Sequence, residues 1–221
     1  SVDNLDGMAD LEFFFDPVCP WAWITSRWVT EVKQLRNYEV GWRFICLAML
    51  NEHRLGTDES YNPDYRAGHV AGLHCLRVAD QIRIDHSNDD VGAFYTALGE
   101  AYHLQRCRPE LIADPVAVLE GVLKTCDLPP GLATHAHDES HDAYIRSETD
   151  LALERAGKNL GTPILTFHPG AANENSLFGP VIERIPRGET ALKLWDSIEF
   201  VASTCGMAEL KRSLRGRPVF D

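Results

Sequence analysis

An aromatic-rich run, Leu11 to Phe15, is followed by Asp16-Pro17 and then by Cys19-Pro20, and this succession constrains the fold more than any other part of the chain. The run reads as a buried strand, Asp16-Pro17 punctuates its end, and Pro20 opens a helix at the first helical position, where a missing N–H costs nothing. The helix is expected to reach about Arg36, with Ile24, Trp28, Val32 and Leu35 sharing a face at helical spacing and Asn37 ending it. Val40 to Ala48, with Trp42, Phe44 and Ile45, then reads as a second strand. Strand, helix and strand in this order imply a right-handed parallel unit.

The same succession delivers a thiol to the first turn of a helix. Backbone N–H groups there lack intrahelical partners, and the aligned peptide dipoles favour negative charge on the sulfur. Cysteines so placed, or held in Cys-x-x-Cys motifs, have pKa values of roughly 3.5 to 7.5 instead of about 8.5, a preference worth roughly 1 to 7 kcal/mol for the thiolate. A dithiol motif would carry a second cysteine where this chain has Ala22.

From about Tyr61 to Gly157 the pattern becomes helical, as in Val91 to Ala101 and Pro115 to Cys126, with breaks at Arg108-Pro109 and Leu128-Pro129-Pro130-Gly131. It then reverts. Ile164 to Phe167 is a short apolar strand, His168-Pro169-Gly170 begins a loop, and Ser176 to Ile182 reads as the second strand of an antiparallel hairpin. A last helix, about Gly188 to Leu214, carries Leu192, Trp195, Ile198 and Ala202 on one face and is expected to break near Gly206. A βαβ half over residues 8–60, a helical insertion over 61–157 and a ββα half over 158–221 give an α/β, thioredoxin-like fold with an inserted all-helical domain. Thr162-Pro163 lies directly before the third strand, where thioredoxin-like proteins place a cis-proline loop facing the active sulfur. The cis form of an X-Pro bond costs only about 0.5 to 1 kcal/mol, so a fold can impose it.

Several function classes are disfavoured. The net charge of −12, from 33 acidic against 21 basic residues, lacks the basic footprint of a nucleic-acid binder. No stretch approaches the roughly 18 consecutive apolar residues of a membrane span, and the polar start lacks the regions of a signal peptide, so a cytoplasmic protein without membrane partners is expected. The six scattered cysteines read as reduced thiols, with Cys46, Cys75, Cys126 and Cys205 as core residues and Cys107 set between Arg106 and Arg108. In Thr134 to Asp142, His137 and His141 would share a helix face, but zinc sites usually need four supported ligands and alternating His and acid is more often a solvated face. No metal is expected there. No Gly-x-Ser-x-Gly elbow supports a serine triad.

Three separated blocks, Phe15-Asp16-Pro17-Val18-Cys19-Pro20-Trp21-Ala22-Trp23-Ile24-Thr25-Ser26-Arg27-Trp28, Gly161-Thr162-Pro163, and Phe178-Gly179-Pro180-Val181 through Ile185-Pro186-Arg187-Gly188-Glu189 to Leu194-Trp195-Asp196, resemble the DsbA-like, mycothiol-dependent nitroreductase family of actinobacteria. The resemblance implies a cytoplasmic thiol-dependent oxidoreductase, a monomer or homodimer, that uses mycothiol as co-substrate to reduce disulfides or nitroaromatic-type small molecules. Cys19 would be the nucleophile, with Pro20 and Ala22 completing the motif, and Thr162 and Pro163 would orient a bound thiol or disulfide by main-chain contact. Trp21, Asn51 and Tyr61 match positions that line the substrate pocket in the family.

Family members carry cysteine at the position of Ala22, which lets them close an internal disulfide and expel a mixed-disulfide partner. Here a second thiol from solution has to do so, whether the chain is a natural monothiol variant or an engineered Cys-to-Ala form. An alternative keeps the fold and changes the class: a thiol transferase or isomerase of the kappa glutathione transferase type, in which the helix start activates the thiolate of a bound cofactor and no resolving cysteine is needed.

Overall fold

The computed structural model describes residues 9–204, 206–212, 214 and 216–220. Its contacts divide the chain into two compact units, one of residues 1–14, 20–43 and 152–221 and one of residues 15–19 and 44–151.

The first unit is built on a sheet of β1 (Leu11–Phe15), β2 (Val40–Phe44), β3 (Ile164–Phe167) and β4 (Asn175–Phe178), in the order β2-β1-β3-β4. β1 pairs antiparallel with β3, Leu11 opposite Phe167 and Phe14 opposite Ile164, and β3 pairs antiparallel with β4. The bonds from Leu11 N–H to the Glu39 carbonyl and from Ile45 N–H to the Phe15 carbonyl advance in the same sense along β1 and β2, which makes that pair parallel. Every residue of β1 is buried, so both of its faces are covered and its sequence is a run rather than an alternation. Helices α1 (Pro20–Arg36) and α8 (Gly188–Thr204) meet through Trp28, whose indole N–H donates to the Ala191 carbonyl at 2.9 Å and whose ring lies 5.4 Å from that of Trp195. Trp195 in turn packs edge-on against Phe167 of β3. Glu12, 1% exposed, points from β1 into an ionic cluster with Arg43 and Arg155.

The second unit is helical: α2 (Leu47–Leu50), α3 (Pro63–Asp85), α4 (Asn88–Gly99), α5 (Arg108–Ala113), α6 (Pro115–Thr125) and α7 (Asp142–Ala156), the last of which runs on into the first unit. Local sequence explains the helix starts. Asn62 caps α3 by accepting the Tyr65 N–H, with Pro63 in the first turn, and Ser87 and Asp90 form a reciprocal capping box on α4. A π-helical turn, Glu100–Leu104, follows α4, and two short 3₁₀ stretches, Pro130–His137 and Glu139–His141, precede α7. Phe15 stacks on Tyr95 at 3.9 Å and meets Phe44 edge-on.

Several boundaries differ from the sequence reading. β2 stops at Phe44, because Cys46 is the N-cap of α2 and the Leu47 N–H is taken by the Asp16 carboxylate. β4 stops at Phe178, where Gly179 turns to φ +100° before the cis Gly179-Pro180 bond. The last helix ends at Thr204, short of Leu214. Leu35 is half exposed rather than on the buried face with Ile24, Trp28 and Val32. His137 and His141 share no helix face, since Asp138, at φ −85° and ψ 101°, divides that segment into its two 3₁₀ stretches.

Candidate functional site

The thiol sits where the sequence places it, in the residue immediately before the first residue of α1, and Cys19 is 7% exposed. The turn that carries it is built on Asp16, which is fully buried. Asp16 Oδ1 accepts the Val18 N–H at 3.0 Å, Oδ2 accepts the Leu47 N–H at 2.7 Å, and the Asp16 carbonyl accepts the Cys19 N–H at 3.1 Å. Burial pushes the Asp16 carboxyl up to about 7, against the pull of the two backbone donors. Two further supports come from the helical unit. A Cβ on Gly72 of α3 would lie 2.8 Å from Asp16 Oδ1, so backbone and carboxylate are in direct contact. His103, in the π-helical turn, places Nε2 3.0 Å from the Pro17 carbonyl, and burial drives its pKa down to about 4, so a neutral imidazole donates there. π-helical turns often occur at functional sites.

Of the other described cysteines, Cys46 and Cys75 are core residues, whereas Cys126, expected in the core, is half-buried because it lies at the C-cap of α6. Burial pushes Cys46 up to about 12 and Cys75 well above the ordinary thiol value, and the charge of Asp16 adds to both. Cys107 and Cys126, half-buried, are raised by burial as well. None of the five described cysteines is in a disulfide, and Cys205 lies outside the described residues. Ala22 is fully buried in α1, and Trp21 is half-buried beside it.

Asn51 and Tyr61 belong to the helical unit and are joined there by Arg54, which the sequence reading did not single out. The Asn51 Nδ2 donates to the Leu47 carbonyl at 2.8 Å, while its Oδ1 accepts from Arg54 at 2.9 Å. The Arg54 guanidinium lies over the Tyr61 ring at 5.1 Å from its centroid. Tyr61 is buried, and its hydroxyl is 3.1 Å from Nδ1 of His69, an imidazole that burial holds neutral with a pKa of about 4. Tyr61 also lines a cavity of about 400 Å³ with Leu55, Pro63, Arg66, Val70 and His74 among its walls. The lining is mostly apolar with few polar groups, as small-molecule sites commonly are.

In the sheet unit the Thr162-Pro163 bond is cis. Thr162 Oγ1 faces the Phe14 carbonyl at 3.4 Å, and the Pro163 carbonyl accepts the Gly179 N–H at 2.9 Å. The second cis bond, Gly179-Pro180, is tied to α1 by Thr25, whose hydroxyl donates to the Pro180 carbonyl at 2.8 Å. The loops before β3 and after β4 therefore brace one another and α1. Residues Cys19, Asn51 and Tyr61 fall in the helical unit, and Pro20, Trp21, Ala22, Thr162 and Pro163 in the sheet unit.

Comparison with known proteins adds the class. The family model described as Rv2466c-like, mycothiol-dependent nitroreductase Rv2466c, matches residues 18–212. The chain belongs to the Rv2466c-like family. A relative from Mycobacterium tuberculosis, uncharacterized protein Rv2286c, is 28% identical over 212 residues, spanning 93% of this chain and 82% of the relative. The cytosolic disulfide reductase DsbM from Pseudomonas aeruginosa has a similar structure, with a TM-score of 0.57 at 13% identity over 86% of this chain and 98% of that one. Its structure with GSH gives a TM-score of 0.57 at 13% identity over 85% and 98%. The Rv2466c-like chain thus has the DsbA-like variant of the thioredoxin fold with a helical insertion, and it is a thiol-dependent oxidoreductase. Among the described residues no helix is long and apolar enough to cross a membrane.

Proposed function

We propose that the protein is a cytoplasmic, mycothiol-dependent reductase of disulfides or nitroaromatic-type small molecules in which Cys19 is the nucleophile. The observation that carries this reading is the position of Cys19 directly before α1, on a turn anchored by the buried Asp16, in a chain matched to a mycothiol-dependent family. The Cys19 thiolate attacks one sulfur of a disulfide, a Cys19–sulfur bond forms, and the other sulfur leaves as a thiolate. Mycothiol then attacks the mixed disulfide, releasing the Cys19 thiolate and carrying away the bound half as a new disulfide. Ala22 supplies no internal thiol for that second step, so release depends on the concentration of the solution thiol. Thr162 and Pro163 take the family's role of orienting the bound thiol by main-chain contact. Asn51, Tyr61 and the cavity beside Tyr61 take the small-molecule partner, and Trp21 contributes an aromatic surface.

Incubation with mycothiol disulfide followed by intact-mass measurement tests the reading. One mixed disulfide is expected, mapped to Cys19 and missing in Cys19→Ser. Ala22 also suits the transferase or isomerase alternative, in which the protein activates a bound thiol without becoming modified. Catalytic conjugation of the thiol to an electrophile, with no adduct at any stage and full activity in Cys19→Ser, overturns the reductase reading.

A further inference from the structure

We propose that His135, Asp138 and His141 form a binding site for a single zinc ion, with a fourth position left for water. Division of the segment at Asp138 turns His137 aside, where its ring meets that of His74 at 5.0 Å, and brings His135 to His141 instead. His135 Nδ1 lies 3.2 Å from His141 Nε2, and Asp138 Oδ2 lies 3.5 Å from the first and 3.9 Å from the second. Tetrahedral zinc with nitrogen and oxygen ligands at about 2.0 to 2.2 Å sets those atoms about 3.3 to 3.5 Å apart, so the triangle is within a few tenths of an ångström of what the ion needs. An ion can therefore enter with little rearrangement.

The donor set is also prepared. His141 is 5% exposed, and its Nδ1 lies 2.7 Å from Oδ2 of Asp80, itself 2% exposed. A carboxylate accepts there, so Nδ1 carries the proton and the Nε2 lone pair, pointing into the triangle, accepts the His135 Nδ1–H; zinc would take the place of that proton, with His135 protonated on Nε2 instead. Asp80 Oδ1 is fixed by Arg83 Nε at 2.8 Å, which completes the carboxylate–histidine arrangement that orients metal-bound imidazoles. Asp138 uses Oδ1 to accept the Ser140 N–H at 3.0 Å and keeps Oδ2 for the site. His135 and Asp138 are 30% and 43% exposed, which gives the ion a way in and leaves room for the water. Two neutral imidazoles and one carboxylate suit zinc among the abundant divalent metals, whereas calcium and magnesium favour all-oxygen shells. Because Asp80 and Arg83 lie on α3, the ion would pin the 3₁₀ segment to that helix.

The test is calorimetric titration of chelator-treated, fully reduced protein with zinc, repeated on His135→Ala and Asp138→Asn, both at exposed enough positions to leave the core intact. One equivalent is expected to bind the unaltered protein and to raise its melting temperature. The affinity should fall at least tenfold in each variant, with the rise in melting temperature lost. Cobalt(II) in place of zinc should give a tetrahedral visible spectrum without thiolate charge-transfer bands. The proposal is overturned by three results: no saturable one-to-one binding, wild-type affinity in His135→Ala, or thiolate bands showing that cysteine holds the ion.

Discussion

Replacing Asp16 by asparagine should remove most of a pH dependence that the buried carboxyl imposes on stability. In the folded protein the group titrates near 7, against 3.8 for an ordinary aspartate. Between those values the native state keeps a proton that the unfolded chain has released, so the native state binds more protons and stability falls as pH rises. The slope is about 1.4 kcal/mol per pH unit, and across the interval from 3.8 to about 7 the loss accumulates to about 4 kcal/mol. Below 3.8 both states are protonated and the penalty vanishes; above 7 it is complete and constant. Asparagine cannot ionise, and its one acceptor oxygen can serve only one of the Val18 and Leu47 N–H groups, a loss that lowers the variant's stability by the same amount at every pH. The variant is therefore expected to gain on the parent by about 4 kcal/mol between pH 4 and pH 8, on top of that constant loss. Urea unfolding of both proteins from pH 4 to 8.5 measures this as a difference curve, in which the titrations common to both, such as those of the buried histidines, cancel. A flat difference curve, or one that rises towards low pH, would refute the account of Asp16 as a carboxyl held against its desolvation cost.

Two further substitutions probe the supports of the thiol turn and of the sheet. Gly72→Ala, which in an ordinary helix gains about 0.5 to 1 kcal/mol, should instead cost about 1 to 3 kcal/mol, because its Cβ would meet Asp16 Oδ1 at 2.8 Å and Val18 Cγ2 at 3.2 Å. Thermal unfolding reads the cost, the alkylation rate of Cys19 should change with it, and a more stable variant would show that α3 does not press on the turn. Glu12→Gln leaves Arg43 and Arg155 facing a neutral amide in a position 1% exposed, and a loss of about 3 to 5 kcal/mol is expected in urea unfolding. A loss below about 1 kcal/mol would mean that the cluster is solvated in the way surface ion pairs are.

The sequence determined what neighbouring residues decide together. β1 and β3 occupy the residues read as apolar runs, α1 begins at Pro20 and ends at Arg36 as its proline and Asn37 indicate, and the thiol precedes its first turn. These features rest on local propensities and spacing, which need no knowledge of distant residues. Tertiary structure decided the rest. Whether Val40 onward stays extended past Phe44 depends on Asp16 reaching the Leu47 N–H, a contact between residues 31 apart in the chain. Asp16 itself looks like a turn former in the sequence and becomes a buried carboxyl only because α2 and Gly72 of α3 close over it. The link from Asn51 through Arg54 to Tyr61 and His69 needs α3 to return to the loop after α2. Helical spacing favoured the wrong histidine pair, because the segment is divided at Asp138 and its true partner in space, Asp80, comes from α3. Burial and charge pairing are sums over residues far apart in sequence, so the chemical state of a side chain is set only when the chain has folded around it.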